Sequence, residues 1–313
     1  MCDNEEGSGM ILADPVCYSL NSISMGDVIA AAPIVKYAID TFHQETNYKV
    51  LLKPYYNDLF SFVPKEQLGD QGHPYSFSPP WQIRYLNTPR STNARTTSMH
   101  MHLSTFASIQ LLNRLIPMES MKYLSLPKVS VDHFELDYSK AVLIIVTYRD
   151  EVRKIPFETV AGVAEWVRSR GLIPVYIGKV DSSDMWKDSP FRLSFDALPE
   201  GVDLLNKTTI LEMASIMARS RAVVGMDSGP VHVAGTTDVP IVCGFTNVAP
   251  EHRFPIRDKG IFIPVIPDEE CRHCQSRWCL NYHDFGYCYF KHANCVKQMT
   301  AEKFIKALAS LGL

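Results

Sequence analysis

Ala222-Val223-Val224-Gly225-Met226-Asp227-Ser228-Gly229-Pro230-Val231-His232-Val233-Ala234-Gly235 decides the fold of this chain. Ala222 to Met226 is an apolar run of strand length, which suits a strand covered on both faces. Asp227 and Ser228 are favoured helix N-caps, and Pro230 fits a first helical turn. The stretch therefore predicts strand, sharp turn, helix. A helix N-terminus offers unpaired N–H groups and the positive end of its dipole, which suit a diphosphate. Gly229 would let such a ligand approach the backbone closely. An ordinary strand-to-helix turn has the same spacing, so spacing alone leaves both readings open.

The alternation continues outward. Ala141 to Val146 is almost wholly apolar, as in a central parallel strand. Phe157 to Arg170 is an amphipathic helix, and Leu172 to Ile177 the next strand. Leu204-Leu205, a helix over Thr208–Ala218 and a strand at 240–245 extend the pattern. This βαβ order predicts a parallel sheet with right-handed crossovers. Towards the N-terminus, Val16 to Leu20 reads as a buried strand, followed by a helix from near Gly26 to about Phe42. Tyr48–Leu52 and Trp81–Leu86 read as strands, Tyr55–Phe62 as a short helix and 69–80 as a loop rich in Gly and Pro. Met101 to Ile116 has helical spacing, with His100 and His102 at its start as capping or surface residues. The last helix is read over Ala301 to Leu311.

With 313 residues, the chain fits two domains of ordinary size. The expected division is 1–135, 136–298 and a C-terminal helical segment 299–313, with the linker in the aperiodic stretch 126–140. Hydrophobic residues at 46% against 21% charged exclude a disordered chain. A net charge of -3 makes no case for nucleic acid as a partner, although a local basic groove stays compatible with it. The acidic N-terminus is unlike a signal peptide, and no apolar run reaches the roughly 18 residues of a membrane span. The expectation is a soluble, cytoplasmic protein with no transmembrane segment.

Two further stretches carry candidate chemistry. Gly26 and Asp27 put a flexible residue and a carboxylate at the end of the first strand, where ligands of open α/β sheets gather. A lone Asp at a helix start also serves as a plain cap. Arg149, Arg153 and Lys154 follow the strand at 141–146. They would neutralise a diphosphate, or else are surface charge.

Together these motifs resemble glycosyltransferase family 9, the heptosyltransferase-like family. Asp227-Ser228-Gly229-Pro230-x-His232-x-Ala234, with Val239 to Thr246 and Pro250, resembles its donor-site signature. In that family the Asp-Ser/Thr-Gly turn faces the diphosphate of a nucleotide sugar, which implies donor contacts for Asp227, Ser228, Gly229 and His232. Met25-Gly26-Asp27-Val28, with Pro33, resembles its N-terminal motif, whose aspartate is the proposed catalytic base. That role falls on Asp27, with Gly26 beside the donor. Thr147-Tyr148-Arg149-Asp150, then a basic residue and Pro156, is similar to the family's phosphate-binding loop and implies Thr147, Arg149, Arg153 and Lys154. Ile155 stands where a Trp often precedes the Pro, and the loop has one extra residue, so Arg153 and Lys154 both stay candidates for the family's lysine role.

The resemblance implies an α/β protein of the GT-B fold: two Rossmann-like domains facing across a cleft, acceptor on the first and donor on the second, with the last helix packing back on the first. It implies an inverting glycosyltransferase with an ADP-heptose-like nucleotide-diphosphate sugar donor and no catalytic metal. The acceptor would be a saccharide hydroxyl. A protein Ser/Thr hydroxyl and a hydroxymethylated DNA base are alternatives, as is a non-catalytic sugar-nucleotide-binding module.

Five of the eight cysteines, Cys271, Cys274, Cys279, Cys288 and Cys295, crowd into residues 271–295. A Cys-x-x-Cys knuckle with two more thiolates suits a tetrahedral metal site built from four of the five, with His273 and His283 as further donors. The alternatives are buried free thiols or disulfides. Similar fingers occur in relatives of the family, including protein-modifying heptosyltransferases whose finger holds iron. Thiolate coordination admits zinc as well as iron, so the expected structural metal is either.

Overall fold

The computed structural model describes residues 16–20, 25–43, 48–70, 82–85, 101–146, 151–179, 198–274, 276, 288 and 292–313. Two all-parallel sheets make the frame. The first contains β1 (Val16–Ser19), β2 (Tyr48–Leu52), β3 (Leu68–Asp70) and β4 (Gln82–Tyr85), in the order β3-β2-β1-β4. The second contains β5 (Ala141–Ile145), β6 (Ile173–Gly178), β7 (Val202–Leu205), β8 (Ala222–Met226), β9 (Ile241–Gly244) and β10 (Phe262–Val265). Their order is β10-β9-β8-β5-β6-β7. In both sheets the chain first builds outward on one side, then returns to the other side of its first strand. The reversals fall between β1 and β4 and between β5 and β8, and such switch points open a crevice at the strands' carboxyl ends.

The central strands are as buried as their apolar runs predict: every residue of β1, β5, β8 and β9 is buried. Helix α1 (Met25–Phe42) follows β1 and runs through Pro33. Proline removes one i→i−4 bond, and α1 persists because Val28, Ile29, Ile34, Val35 and Ala38 bury its face. Helix α2 (Leu103–Leu112) is shorter than its spacing predicts. His102 caps its start, and Asn113 closes it in the left-handed region at φ 55°. The second sheet carries α3 (Phe157–Ser169), α4 (Ile210–Arg219) and α5 (Gly229–Gly235). Helix α4 starts later than predicted because Thr209 and Glu212 form a reciprocal capping box, at 2.8 and 3.2 Å. Beyond β10 lie α6 (Asn294–Lys297) and α7 (Ala301–Ala309).

Two expectations are corrected. The start of the supposed loop 69–80 is in strand β3, too short and too poor in apolar residues to leave a period; 71–80 lie outside the described residues. Helix α7 packs on the second sheet, not the first. Phe304 and Leu308 are buried in the cluster of Val142, Ile144, Val163 and Val224, and the Thr159 hydroxyl donates to the Met299 carbonyl. The unpredicted β10 is an edge strand, where Pro264 is tolerated. Among the described residues, no helix is long and apolar enough to cross a membrane.

Candidate active site between the two sheets

The two switch points face each other. At the first, β1 leads to α1, whose opening turn carries Gly26 and half-buried Asp27. At the second, β8 leads through Asp227 and Ser228 into α5. The turns meet at van der Waals distance. A Cβ on Gly26 would stand 2.5 Å from His232 Cδ2, and one on Gly229 would stand 2.7 Å from Met25 Cε. The first approach has no room for a side chain, which accounts for Gly26, and at the second a side chain would have to displace the tip of Met25.

Asp227 is 5% exposed and is held from two sides. Arg153 Nη1 lies 3.4 Å from its Oδ2 and 3.4 Å from its backbone carbonyl. Arg153 closes the 3-10 turn Glu151–Arg153 after β5, so this contact bridges the β5/β8 switch point. His232 Nε2 lies 3.8 Å from Asp227 Oδ1. Its Nδ1 lies 2.8 Å from the Tyr123 hydroxyl. Burial lowers the His232 pKa below its ordinary 6.5, while Asp227 and Asp27 pull the other way. Burial also pushes the Tyr123 phenol up, so the hydroxyl keeps its hydrogen beside the imidazole. Ser228 holds the N-cap position without making the cap bond, and its Oγ is buried with no partner. Such an atom costs free energy unless something completes it.

Of the other donor-side residues, Arg153 points into the site and Lys154 is buried at 7% exposure. Thr147 and Arg149 lie outside the described residues. The Thr246 hydroxyl donates to the Val152 carbonyl and ties the loop after β9 to the Arg153 turn. His102 acts as the expected cap: its Nδ1 accepts from Ser104 N at 3.1 Å. Its Nε2 also reaches the Phe254 carbonyl at 2.8 Å, fastening α2 to the second half. Burial drives the His102 pKa down to about 4. Sequence reasoning missed Tyr123, a single tyrosine in a stretch without period, which gives no signal of its own. A separate cavity of about 570 Å³ lies between β2, β3 and α4, lined by Leu52, Phe60, Val63, Lys65, Pro127 and Leu211 among others; neither Asp27 nor Asp227 borders it.

The structure brings four cysteines of the finger into one neighbourhood. Cys295 is buried, and its thiol is pushed up to about 12, first by burial and then by the negative ends of Cys271, Cys288 and Cys274. Cys271 is raised by burial, by Glu269 and by Cys288. Thiols that hinder one another's ionisation are what a cation would relieve, so this donor set fits zinc or iron. Glu269, Cys271 and His292 also place ligand atoms within 4.8 Å of one another. Cys279 and His283 lie outside the described residues. The described cysteines form no disulfide.

Residues 139–283 match the family model of glycosyltransferase family 9 (heptosyltransferase). Lipooligosaccharide heptosyltransferase 2 of Haemophilus influenzae is 28% identical over 123 residues, covering 37% of this chain and 34% of the relative, about a third of its length. Among solved structures, the iron-containing dodecameric glycosyltransferase TibC of enterotoxigenic E. coli superimposes with a TM-score of 0.70 at 17% identity, over 96% of this chain and 76% of that one. A family 9 glycosyltransferase from Veillonella parvula gives a TM-score of 0.59 at 14% identity, over 96% and 98%. The ADP-heptose lipopolysaccharide heptosyltransferase II of E. coli gives 0.55 at 12%, over 95% and 98%. The fold is GT-B, an α/β architecture of two parallel sheets.

Proposed function

Residues 139–283 are a glycosyltransferase family 9 (heptosyltransferase) domain, and from that premise we propose that the chain is an inverting glycosyltransferase acting on a nucleotide-diphosphate sugar. The observation that carries this reading is the meeting of the Gly26-Asp27 turn with the Asp227-Ser228-Gly229 turn and His232. One turn offers a half-buried carboxylate. The other is a buried, charge-braced turn with an uncompleted hydroxyl at Ser228. Asp27 takes the acceptor hydroxyl's proton as that oxygen attacks the anomeric carbon, and the nucleoside diphosphate leaves from the opposite face. Arg153 and Lys154 offset the charge on the departing diphosphate, and the family resemblance gives Thr147 and Arg149 the same donor role. Catalysis then needs no divalent metal. A heptose on ADP is the favoured donor, since TibC is recorded in complex with ADP-D-beta-D-heptose. The acceptor is a hydroxyl, with a saccharide favoured over a protein or modified-DNA hydroxyl.

A thermal-shift panel of ADP-, GDP- and UDP-sugars tests the donor, because a ligand bound by the native state alone raises its stability by mass action. The largest shift is expected with an ADP-heptose, and a flat response to every nucleotide sugar refutes the reading. Replacing Arg153 and Lys154 together by Ala should weaken donor binding, each charge-assisted contact being worth about 1.5–3 kcal/mol. Transfer should survive EDTA as long as the finger keeps its metal.

The finger serves as a structural metal site in this reading, held by Cys271, Cys274, Cys288 and Cys295. A bound zinc or iron would supply cross-links that the short segment cannot obtain from packing. Elemental analysis should find about one such atom per chain, lost together with stability in Cys271→Ser/Cys274→Ser. A metal-free protein with unchanged melting of the double variant would return these residues to free thiols.

A further inference from the structure

Tyr123 belongs to none of the motifs considered so far. It follows the 3-10 turn Met118–Met121, which packs against α1, and its backbone N–H donates to the Ile256 carbonyl at 2.8 Å. The side chain is 8% exposed, and its hydroxyl ends on His232 Nδ1. A protonated phenol can only donate to that nitrogen if the nitrogen carries no hydrogen. When the phenol donates, the neutral ring carries its proton on Nε2, the edge on which the Asp227 carboxylate lies. That edge of the ring faces both halves of the site. Asp227 Oδ1 is 3.8 Å from Nε2, and a Cβ on Gly26 would lie 3.1 Å from it.

We propose that Tyr123 is a positioning residue: it holds His232 in the Nε2–H tautomer, so that the ring's N–H faces Asp227 and its edge seats the Gly26-Asp27 turn. The idea rests on the glycosyltransferase reading for its effect on rate, but the tautomer stands independently of it. With the opposite tautomer, a lone pair would face the Asp227 carboxylate and repel it. The turn that carries the base and the turn that carries the donor site would then lose their common support. The groups whose charge acts on the ring are Asp227, Asp27, Arg253 and Arg153, with His102 nearby. The Asp227 carboxylate favours a proton on the side away from Tyr123.

Tyr123→Phe removes the hydroxyl and keeps the ring. Nitrogen-15 NMR on histidine-labelled protein reads the tautomer directly. The wild type should give one His232 signature with Nδ1 unprotonated, assigned by its loss in His232→Gln. Tyr123→Phe should shift Nδ1 towards the protonated form. In transfer assays, Tyr123→Phe should lower kcat about 10-fold with little change in acceptor KM. A glutamine amide stands in for Nε2–H and has no tautomer to choose. In a His232→Gln background, Tyr123→Phe should therefore cost no further rate. Unchanged His232 nitrogen shifts in Tyr123→Phe, or the same rate loss in both backgrounds, would overturn the proposal and leave Tyr123 as packing. If no nucleotide sugar is transferred at all, the NMR result still decides the tautomer, so failure of the enzyme assignment and failure of this one stay separate.

Discussion

The two turns that meet in the cleft are built alike and held differently. Each follows the first strand after a sheet's reversal, or the strand paired with it, and each puts an aspartate near a glycine at a helix start. Helix α1 runs 18 residues and buries a broad face, so its turn is positioned by the helix behind it. Helix α5 runs only 7 residues, and its turn is positioned by side chains: Arg153 and His232 on Asp227, Tyr123 on His232. A turn positioned by its helix leaves its carboxylate half-buried. One positioned by side chains has its carboxylate engaged and 5% exposed. The same residue type thus suits proton transfer on one side and scaffolding on the other.

The sharpest way to break this comparison is to neutralise each aspartate. Asp27→Asn should cut kcat roughly 100-fold or more, with nucleotide-sugar affinity nearly unchanged. Asp227→Asn should act chiefly on binding and stability. It leaves Arg153 without its carboxylate, so stability should fall by about 1–3 kcal/mol and donor affinity about 10-fold. Denaturant melts and initial rates on the two variants decide the matter. If Asp227→Asn proves the slower enzyme and binds donor normally, the roles are reversed.

Adding one methyl group to each glycine tests the interlock. In Gly26→Ala the new Cβ meets a ring that Tyr123 holds from behind, so strain of about 1–3 kcal/mol is expected. In Gly229→Ala it meets the tip of Met25, a flexible chain that can swing aside. Gly26→Ala should therefore lose clearly more melting temperature and rate than Gly229→Ala. Equal losses would mean that the His232 ring is not fixed.

The smallest effect concerns pH. His102, between α2 and the Phe254 carbonyl, is half-buried with its pKa lowered from 6.5 to about 4. Its folded value lies below its unfolded one, so only the unfolded chain takes up this proton between those limits. Stability from this site is full above about pH 6.5 and is lost as the pH falls towards 4. His102→Asn keeps a good N-cap and removes the titration. Melting temperatures of this variant should fall less than wild type across that window.

How much of this was legible follows from where each contact originates. The central strands of the second sheet could be read because they are buried on both faces and separated by amphipathic helices with caps, as at Thr209 and Glu212, whereas the part-exposed edge strand β10 could not. The two aspartates and their glycines could be read because they sit in local motifs. Strand β3 could not, since three residues leave no period. Nor could the seat of α7, because an apolar face such as Phe304, Ala307 and Leu308 does not state its partner. Tyr123 was out of reach for another reason: its meaning lies in a hydrogen bond to a residue 109 positions away.

The close seating of Gly26 on His232 has a mechanical consequence. It is one of several ties between the two halves, with His102 on the Phe254 carbonyl and the Tyr123 N–H on the Ile256 carbonyl. A body held at several separated points cannot swing about any one of them. Asp27 and Ser228 flank the tightest of these points, so the distance across the reacting end is set by the same packing that joins the sheets.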